Sequence, residues 1–269
     1  MRPFDPPLLA IASGALAVRV GSTDLVFRYL RPSMRPWLIA AGAVLLALGA
    51  VALWDARRRT RPSDPASSRD GCHAIDQPTA AHEHHATWLC WLLLLPVVFG
   101  AIVDPRALGA SAVAQNRGAR QAFTEPFDLS TYLATHASGG QAPQLTMAQF
   151  IGAARKPTDR DLLHTTDVRL LGFVVAHPTE PSRRLLSRLQ VGCCAADAVP
   201  LVIEVTALAE QPRWPAVDQW IEVTARLDVA ATDRIIKANT DRADQFAMAA
   251  VTASDLRLTD GPAEPYEYP

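Results

Sequence analysis

Residues 36–54, bounded by Pro36 and Trp54, carry no charged side chain and are almost entirely aliphatic or small. A helix of about 20 apolar residues is what a bilayer's hydrocarbon core requires. A run this apolar on every side has no polar face to turn toward water, so it predicts a membrane span. Trp37 and Trp54 stand where interfacial aromatic belts stand.

Two further segments are read against that one. Residues 87–103, from Thr87 to Val103, form a second run of spanning length with Trp88 and Trp91 at its entry. Pro96 lies inside it and predicts a kink, because neighbouring helices can satisfy the carbonyl that a proline frees within a membrane. The first segment, from Leu8 to Phe27, is interrupted by Arg19 and Asp24. It reads as a third, N-terminal span or as a cleaved signal peptide, and the arginine in the region where a cleavage site needs small neutral residues favours the span.

The chain of 269 residues has a net charge of −1, which conceals an uneven distribution. Up to Arg120 there are 13 Lys and Arg against 8 Asp and Glu, and beyond it 13 against 19. A basic, apolar front and an acidic back are the pattern of a membrane anchor followed by a water-facing domain. The acidic back also argues against nucleic acid as a partner, since phosphate binding needs a basic surface. The cluster Arg57, Arg58, Arg59 and Arg61 follows Trp54 at once. The positive-inside rule therefore makes loop 55–86 cytoplasmic and everything after Val103 extracytoplasmic. The expected layout is an anchor over 1–105, a juxtamembrane stalk with helices over 106–160, a β-rich domain over 161–260 and a disordered acidic tail over 261–269. Its expected location is the bacterial cytoplasmic membrane, crossed more than once.

Loop 55–86 holds Cys72, His73, His82, His84 and His85. Imidazoles and a thiolate so close together suit zinc or another thiophilic metal, whereas the plain alternative is a polar linker in which histidines have accumulated.

Within 106–160, Thr146 and Gln149 have the spacing of a capping box ahead of Phe150 and Ile151, which predicts a helix start. Strand patterns then follow at 168–176, 184–194, 200–205, 220–229 and 246–258, with a bulge or sharp bend expected at Gly172. Five short strands at this spacing predict a small closed barrel of OB-like type, with flanking helices.

Between the second and third strands the chain reads Gly192-Cys193-Cys194-Ala195-Ala196-Asp197-Ala198. Successive side chains on a regular strand point to opposite faces, so both thiols serve one site only if the backbone turns there. Three chemistries are open to these residues. Cys193, Cys194 and Asp197 can be two soft ligands and one hard ligand of a metal or metalloid, with His164 or His177 as a further candidate. The thiols can instead be redox-active toward a partner. Or they can be structural, Cys193 in the barrel core and Asp197 taking backbone hydrogen bonds in a turn. No acid, base and nucleophile occur at an informative spacing, so no catalytic residues are assigned.

This motif, with Gly172-Phe173-Val174-Val175 before it and Asp218-Gln219-Trp220-Ile221-Glu222-Val223-Thr224 after it, resembles the YcgQ-like family of bacterial membrane proteins, described as permease subunits. In the anchor, Tyr29, Pro32 and Pro36 are the local echo of that family. The resemblance implies a partner, a multi-span permease related to organoarsenical efflux permeases, and no reaction. The function expected is an accessory subunit of an inner-membrane permease, in contact with the lipid bilayer, whose extracytoplasmic thiol/carboxylate site binds a metal or metalloid. The alternatives are a membrane-tethered thiol oxidoreductase and a purely structural interaction protein.

Overall fold

A computed structural model describes residues 5–59, 107–116, 126–136, 140–177, 183–206, 214–241 and 247–269. It divides into two compact units, Met1–Val26 with Pro32–Arg106, and Phe27–Arg31 with Ala107–Pro269. The expected span at Thr87–Val103 and the cluster Cys72, His73, His82, His84 and His85 lie outside the described residues.

Among its described residues the first unit holds a pair of antiparallel helices, α1 (Asp5–Ser22) and α2 (Arg35–Arg59). Glycine lets them meet closely. A Cβ on Gly42 would lie 2.9 Å from the Gly14 carbonyl oxygen, and one on Gly49 would lie 2.6 Å from the Ile11 side chain. Gly14 and Gly21 on one helix, and Gly42 and Gly49 on the other, recur every two turns, so small residues line the seam as they do between membrane helices. The Arg35 Nε donates to the Gly21 carbonyl at 2.8 Å and satisfies one of the exposed carbonyls at the end of α1.

One described helix, Pro32–Arg58, is long and apolar enough to cross a membrane, and the apolar helix Pro7–Ser22 is shorter. Trp37, Leu48, Val51 and Trp54 on α2 are 60 to 73% exposed, which suits a lipid-facing surface better than one facing water. The first apolar segment does not run on as helix to Phe27. It stops at Ser22, and a 3-10 turn, Asp24–Arg28, follows.

The second unit contains a closed barrel of five strands, β1 (Val168–Ala176), β2 (Arg184–Gln190), β3 (Val199–Thr206), β4 (Trp220–Leu227) and β5 (Ala249–Leu258). The order around the barrel is β1-β2-β3-β5-β4, antiparallel throughout except for the parallel pair β3 and β5. The strands match the expected ones closely, save that β2 stops at Gln190 rather than at Cys194, β4 at Leu227 rather than at Val229, and β5 begins at Ala249. Gly172 holds no bulge. Register runs through it unbroken on the β4 side, and the slip lies instead between Thr224 and Ala225. Gly172 is needed for close approach, because a Cβ there would lie 2.6 Å from the Ser187 carbonyl oxygen.

Leu170, Val174, Leu186, Ile203, Ile221, Val223 and Val251 fill the barrel. Three helices close it, α4 (Leu129–His136), α5 (Met147–Arg155) and α6 (Pro157–Thr165), and they contribute Leu129, Phe150, Ile151 and Leu163 to that core. The expected capping box is present on α5, with the Thr146 side chain accepting from the Gln149 N–H and the Gln149 side chain accepting from the Thr146 N–H. These helices belong to the barrel's own unit rather than to a separate stalk.

A second apolar layer covers the outside of the sheet. Phe173, Val175, Leu185, Leu189, Val202 and Ala250 point outward beneath α3 (Ala110–Gln115), α7 (Val229–Asp241) and Tyr266. Helix α7 occupies the stretch between β4 and β5 that had no assignment from sequence. The tail is not disordered. Tyr266 is 2% exposed and Glu267 5%, and the Glu267 backbone pairs with the end of β2, its N–H donating to the Leu189 carbonyl and its carbonyl accepting from Val191 N–H, each at 2.9 Å. Its acidity suggested solvation, but its two tyrosines supply enough apolar surface to order it.

Candidate metal centre

The turn that carries the thiols begins where β2 runs out of partners. Val191 is fully buried and makes the last ladder bond, to Glu267. Beyond it the backbone turns around one carboxylate. Asp197 Oδ1 accepts from the Gly192 N–H at 3.0 Å and Oδ2 from the Cys193 N–H at 2.8 Å. The short 3-10 turn Ala195–Asp197 is closed by the Asp197 N–H donating to the Cys194 carbonyl at 3.0 Å, and the Cys194 side chain accepts at its start. Asp197 thus organises the loop and also stands beside both sulfurs.

Both thiols are free, Cys193 exposed and Cys194 half-buried. The ligand atoms of Cys193, Cys194 and Asp197 all lie within 4.8 Å of one another, and among the described residues they form the group able to hold a metal ion. Sulfur and oxygen ligands to zinc sit at about 2.0 to 2.3 Å, so adjacent ligand atoms of a tetrahedral site are about 3.5 Å apart. Within 4.8 Å of one another, the three groups are near enough for side-chain rotation to bring them to one ion. Three ligands on an exposed turn also leave a position open.

Electrostatics favour the protonated form of the Cys193 thiol. The Cys193 thiol is pushed up to about 11, first by its hydrogen bond to Asp197, then by Cys194 and by desolvation. For Asp197, partial burial acts to raise its pKa, but the Cys193 thiol and the backbone N–H groups of Cys193, Gly192 and Cys194 outweigh it and hold the carboxyl below its ordinary range. A thiol held protonated is a weak nucleophile, whereas a metal can displace its proton.

The turn has a second set of partners that the sequence did not reveal. Leu30 forms an antiparallel bridge with Cys194, the Arg31 N–H donates to the Cys193 carbonyl at 3.2 Å, and the Ala195 N–H donates to the Tyr29 carbonyl at 2.7 Å. Residues 29–31 are tied down elsewhere in the same unit. The Tyr266 hydroxyl donates to the Arg28 carbonyl at 2.9 Å, and the Arg31 guanidinium donates to the Pro269 carbonyl at 2.8 Å. The family echo at Tyr29 was the only sequence signal pointing to this segment.

The other candidates separate from the site. His164 Nδ1 is 3.1 Å from the Leu227 carbonyl oxygen. Neither it nor His177 joins the thiol group. Cys193 does not pack in the barrel core as the structural reading expected, although Asp197 does take the backbone hydrogen bonds that reading assigned to it. Glu267 was missed altogether. Its buried carboxylate accepts from the N–H groups of Met147 and Ala148, at 2.7 and 2.9 Å, at the start of α5.

Comparison with known proteins adds a domain family. The model of the DUF1980 C-terminal domain matches residues 159–269, a stretch that holds the barrel, the cysteine turn and the tail. It fits the resemblance read from the sequence in outline, and it does not extend to the anchor. No curated protein matches the chain. Among solved structures the chain is similar to yeast RPA bound to ssDNA, with 13% identity and a TM-score of 0.27, over 45% of this chain and 76% of that one.

Proposed function

We propose that the protein is an accessory subunit of a bacterial inner-membrane permease, and that its barrel presents Cys193, Cys194 and Asp197 outside the cytoplasm to a thiophilic metal or metalloid. The observation that carries the site is the convergence of two free thiols and a carboxylate within 4.8 Å on an exposed turn. Binding replaces each ligating thiol's proton with a sulfur–metal bond and releases the proton to water, with no change of oxidation state. Zinc and softer thiophilic ions suit this donor set. The order β1-β2-β3-β5-β4 with its parallel β3 and β5 pair supports the OB-like reading of the barrel.

The location is supported by connectivity. Phe27–Arg31 belongs to the barrel unit, yet it lies in the chain between α1 and α2. If α2 crosses the membrane with its arginine-rich end in the cytoplasm, its other end and the barrel share the outer side. The sequence assigns a second crossing to residues 87–103, which lie outside the described residues. A third span at α1 is compatible with the same arrangement.

The oxidoreductase reading is weaker on chemical grounds. A nucleophilic cysteine needs a depressed pKa, whereas that of Cys193 is raised, and a disulfide between adjacent residues strains its ring. The test is gentle detergent purification of the tagged full-length chain from its native membrane, with companions identified by mass spectrometry and bound metal by elemental analysis. Near-equal amounts of a multi-span permease, and metal that is lost in Cys193→Ser and Cys194→Ser, are expected. A chain that purifies alone contradicts the subunit reading, and metal content indifferent to both substitutions contradicts the site.

A further inference from the structure

We propose that the cavity at the arginine-rich end of α2 seats one phospholipid with an anionic headgroup. The inference goes beyond the metal site, and it rests on the reading of α2 as a membrane span whose arginine end faces the cytoplasm.

The cavity lies within the helix pair. Its volume is about 750 Å3, and among the described residues it is lined by Ile11 of α1 and by Ala50, Leu53, Trp54, Arg57 and Arg58 of α2. The helices touch just before it, where a Cβ on Gly49 would lie 2.6 Å from the Ile11 side chain and 3.0 Å from the Pro7 carbonyl oxygen. Pro7 stands near the start of α1, whereas α2 runs on from Gly49 to Arg59, about 15 Å at the rise of a helix. Ala50, Leu53, Trp54, Arg57 and Arg58 have the spacing of one helical face. That face changes character once along its length, from apolar at Ala50 and Leu53 to cationic at Arg57 and Arg58. The cavity therefore has an apolar wall toward the middle of the span and a cationic rim at its end, with Trp54 at the boundary where interfacial aromatics stand.

The occupant follows from charge and shape together. Both charged side chains on the cavity are positive, and among the described residues no acidic one lines it. Guanidinium groups bind phosphate oxygens through N–H groups that lie in their own plane. Arg58 stacks on Trp54, its guanidinium carbon 5.1 Å from the ring centroid. Stacking uses the face of the guanidinium and leaves that plane for a phosphate. A free anion would suit the rim but gain nothing from the wall. A phospholipid suits both, with its phosphate on Arg57 and Arg58 and an acyl chain along Ile11, Ala50 and Leu53, where each buried methylene adds to binding. A headgroup that also carries a cation sets that cation against the two arginines, so the net-anionic headgroup is favoured. Anionic lipids attract basic juxtamembrane segments in the same way at the cytoplasmic surface.

The test places the full-length chain in nanodiscs of equal parts phosphatidylglycerol and phosphatidylcholine, and native mass spectrometry of the ejected chain counts the lipids that stay bound. Phosphatidylglycerol is expected to be retained over phosphatidylcholine by at least about fivefold, roughly what one arginine contributes at an anionic membrane surface. Arg57→Gln combined with Arg58→Gln should abolish the preference, while Arg19→Gln, in the last turn of α1 and so at the other end of the hairpin, should leave it. Ala50→Trp fills the apolar part of the cavity and keeps both charges, and it should abolish retention as well. The comparison of the two lipids on the unsubstituted chain stands even if a variant misfolds. Equal retention of both lipids, or a preference that survives the paired arginine substitutions or Ala50→Trp, overturns the proposed seat. Displacement of the bound phosphatidylglycerol by a large excess of inorganic phosphate overturns it in favour of a free anion. A chain that does not enter nanodiscs contradicts the membrane span itself, whereas one that enters without lipid preference contradicts the seat alone.

Discussion

Asp197 has two tasks at once, and they make opposite demands on the thiols. Its oxygens fold the turn by collecting the N–H groups of Gly192 and Cys193, and its hydrogen bond to the thiol holds the Cys193 proton in place. Removing the carboxylate should therefore make the thiol more reactive even as the turn loosens. With the pKa raised to about 11, Cys193 carries little thiolate near pH 8, and the fraction grows only as the pH climbs toward that value. In Asp197→Ala the largest cause of the shift is gone. Alkylation of Cys193 by iodoacetamide at pH 8, followed on its peptide by mass spectrometry, should speed up by about tenfold or more. An unchanged rate would mean that the carboxylate does not control the thiol. The three residues were legible in the sequence because two adjacent cysteines and a nearby aspartate are a rare combination in a chain with four cysteines. Their partners, residues 29–31, were not legible, because main-chain pairing across more than 160 positions leaves no mark on side-chain type.

At the scale of elements, the tail and α5 depend on each other. Glu267 enters the barrel's flank with its carboxylate on the first N–H groups of α5 and with Arg188 3.9 Å away. Glu267→Ala leaves the two buried N–H donors of Met147 and Ala148 without their acceptor and removes the anion opposite Arg188, and should cost about 3 kcal/mol in denaturant unfolding of the full chain. Burial raises the Glu267 pKa above its ordinary value of 4.5, with Arg188 and the two N–H groups offsetting part of the effect. An acid with a raised folded pKa contributes stability that is fully present below the unfolded value and lost as the pH rises through the folded one. The advantage of the native protein over Glu267→Gln should thus be largest near pH 4.5 and shrink toward neutrality. An advantage that grows with pH would contradict the account. Gly172→Ala should cost about 1 to 3 kcal/mol, because its Cβ meets the Ser187 carbonyl oxygen at 2.6 Å, and an unaltered unfolding midpoint would show that the strands can part there. The five strands were legible from their β-branched and aliphatic runs, although both faces of several are buried and strict alternation is missing. Helix α7 escaped notice despite a signal at its start, where the Asp228 side chain accepts from the Ala231 N–H at 2.9 Å as an N-cap. The tail was misread because composition weighs its acids and prolines but not the two tyrosines that pack.

The whole molecule combines a hairpin of apolar helices, seamed by glycine, with a barrel unit that takes in the loop between those helices. The proposed sidedness follows chain order, since residues 27–31 lie between α1 and α2 in sequence and belong to the barrel unit. The long apolar helix α2 was legible in its hydropathy and the barrel in its strand pattern. The link between them was not, since it lies in five residues of unremarkable composition. The most direct measurement is labelling of Cys193 by a membrane-impermeant maleimide in intact spheroplasts, in a chain whose Cys72, Cys90 and Cys194 are serine. The account predicts labelling from outside without lysis, and none in a chain that also carries Cys193→Ser. Labelling that appears only after the membrane is opened would put the barrel in the cytoplasm and contradict an extracytoplasmic site.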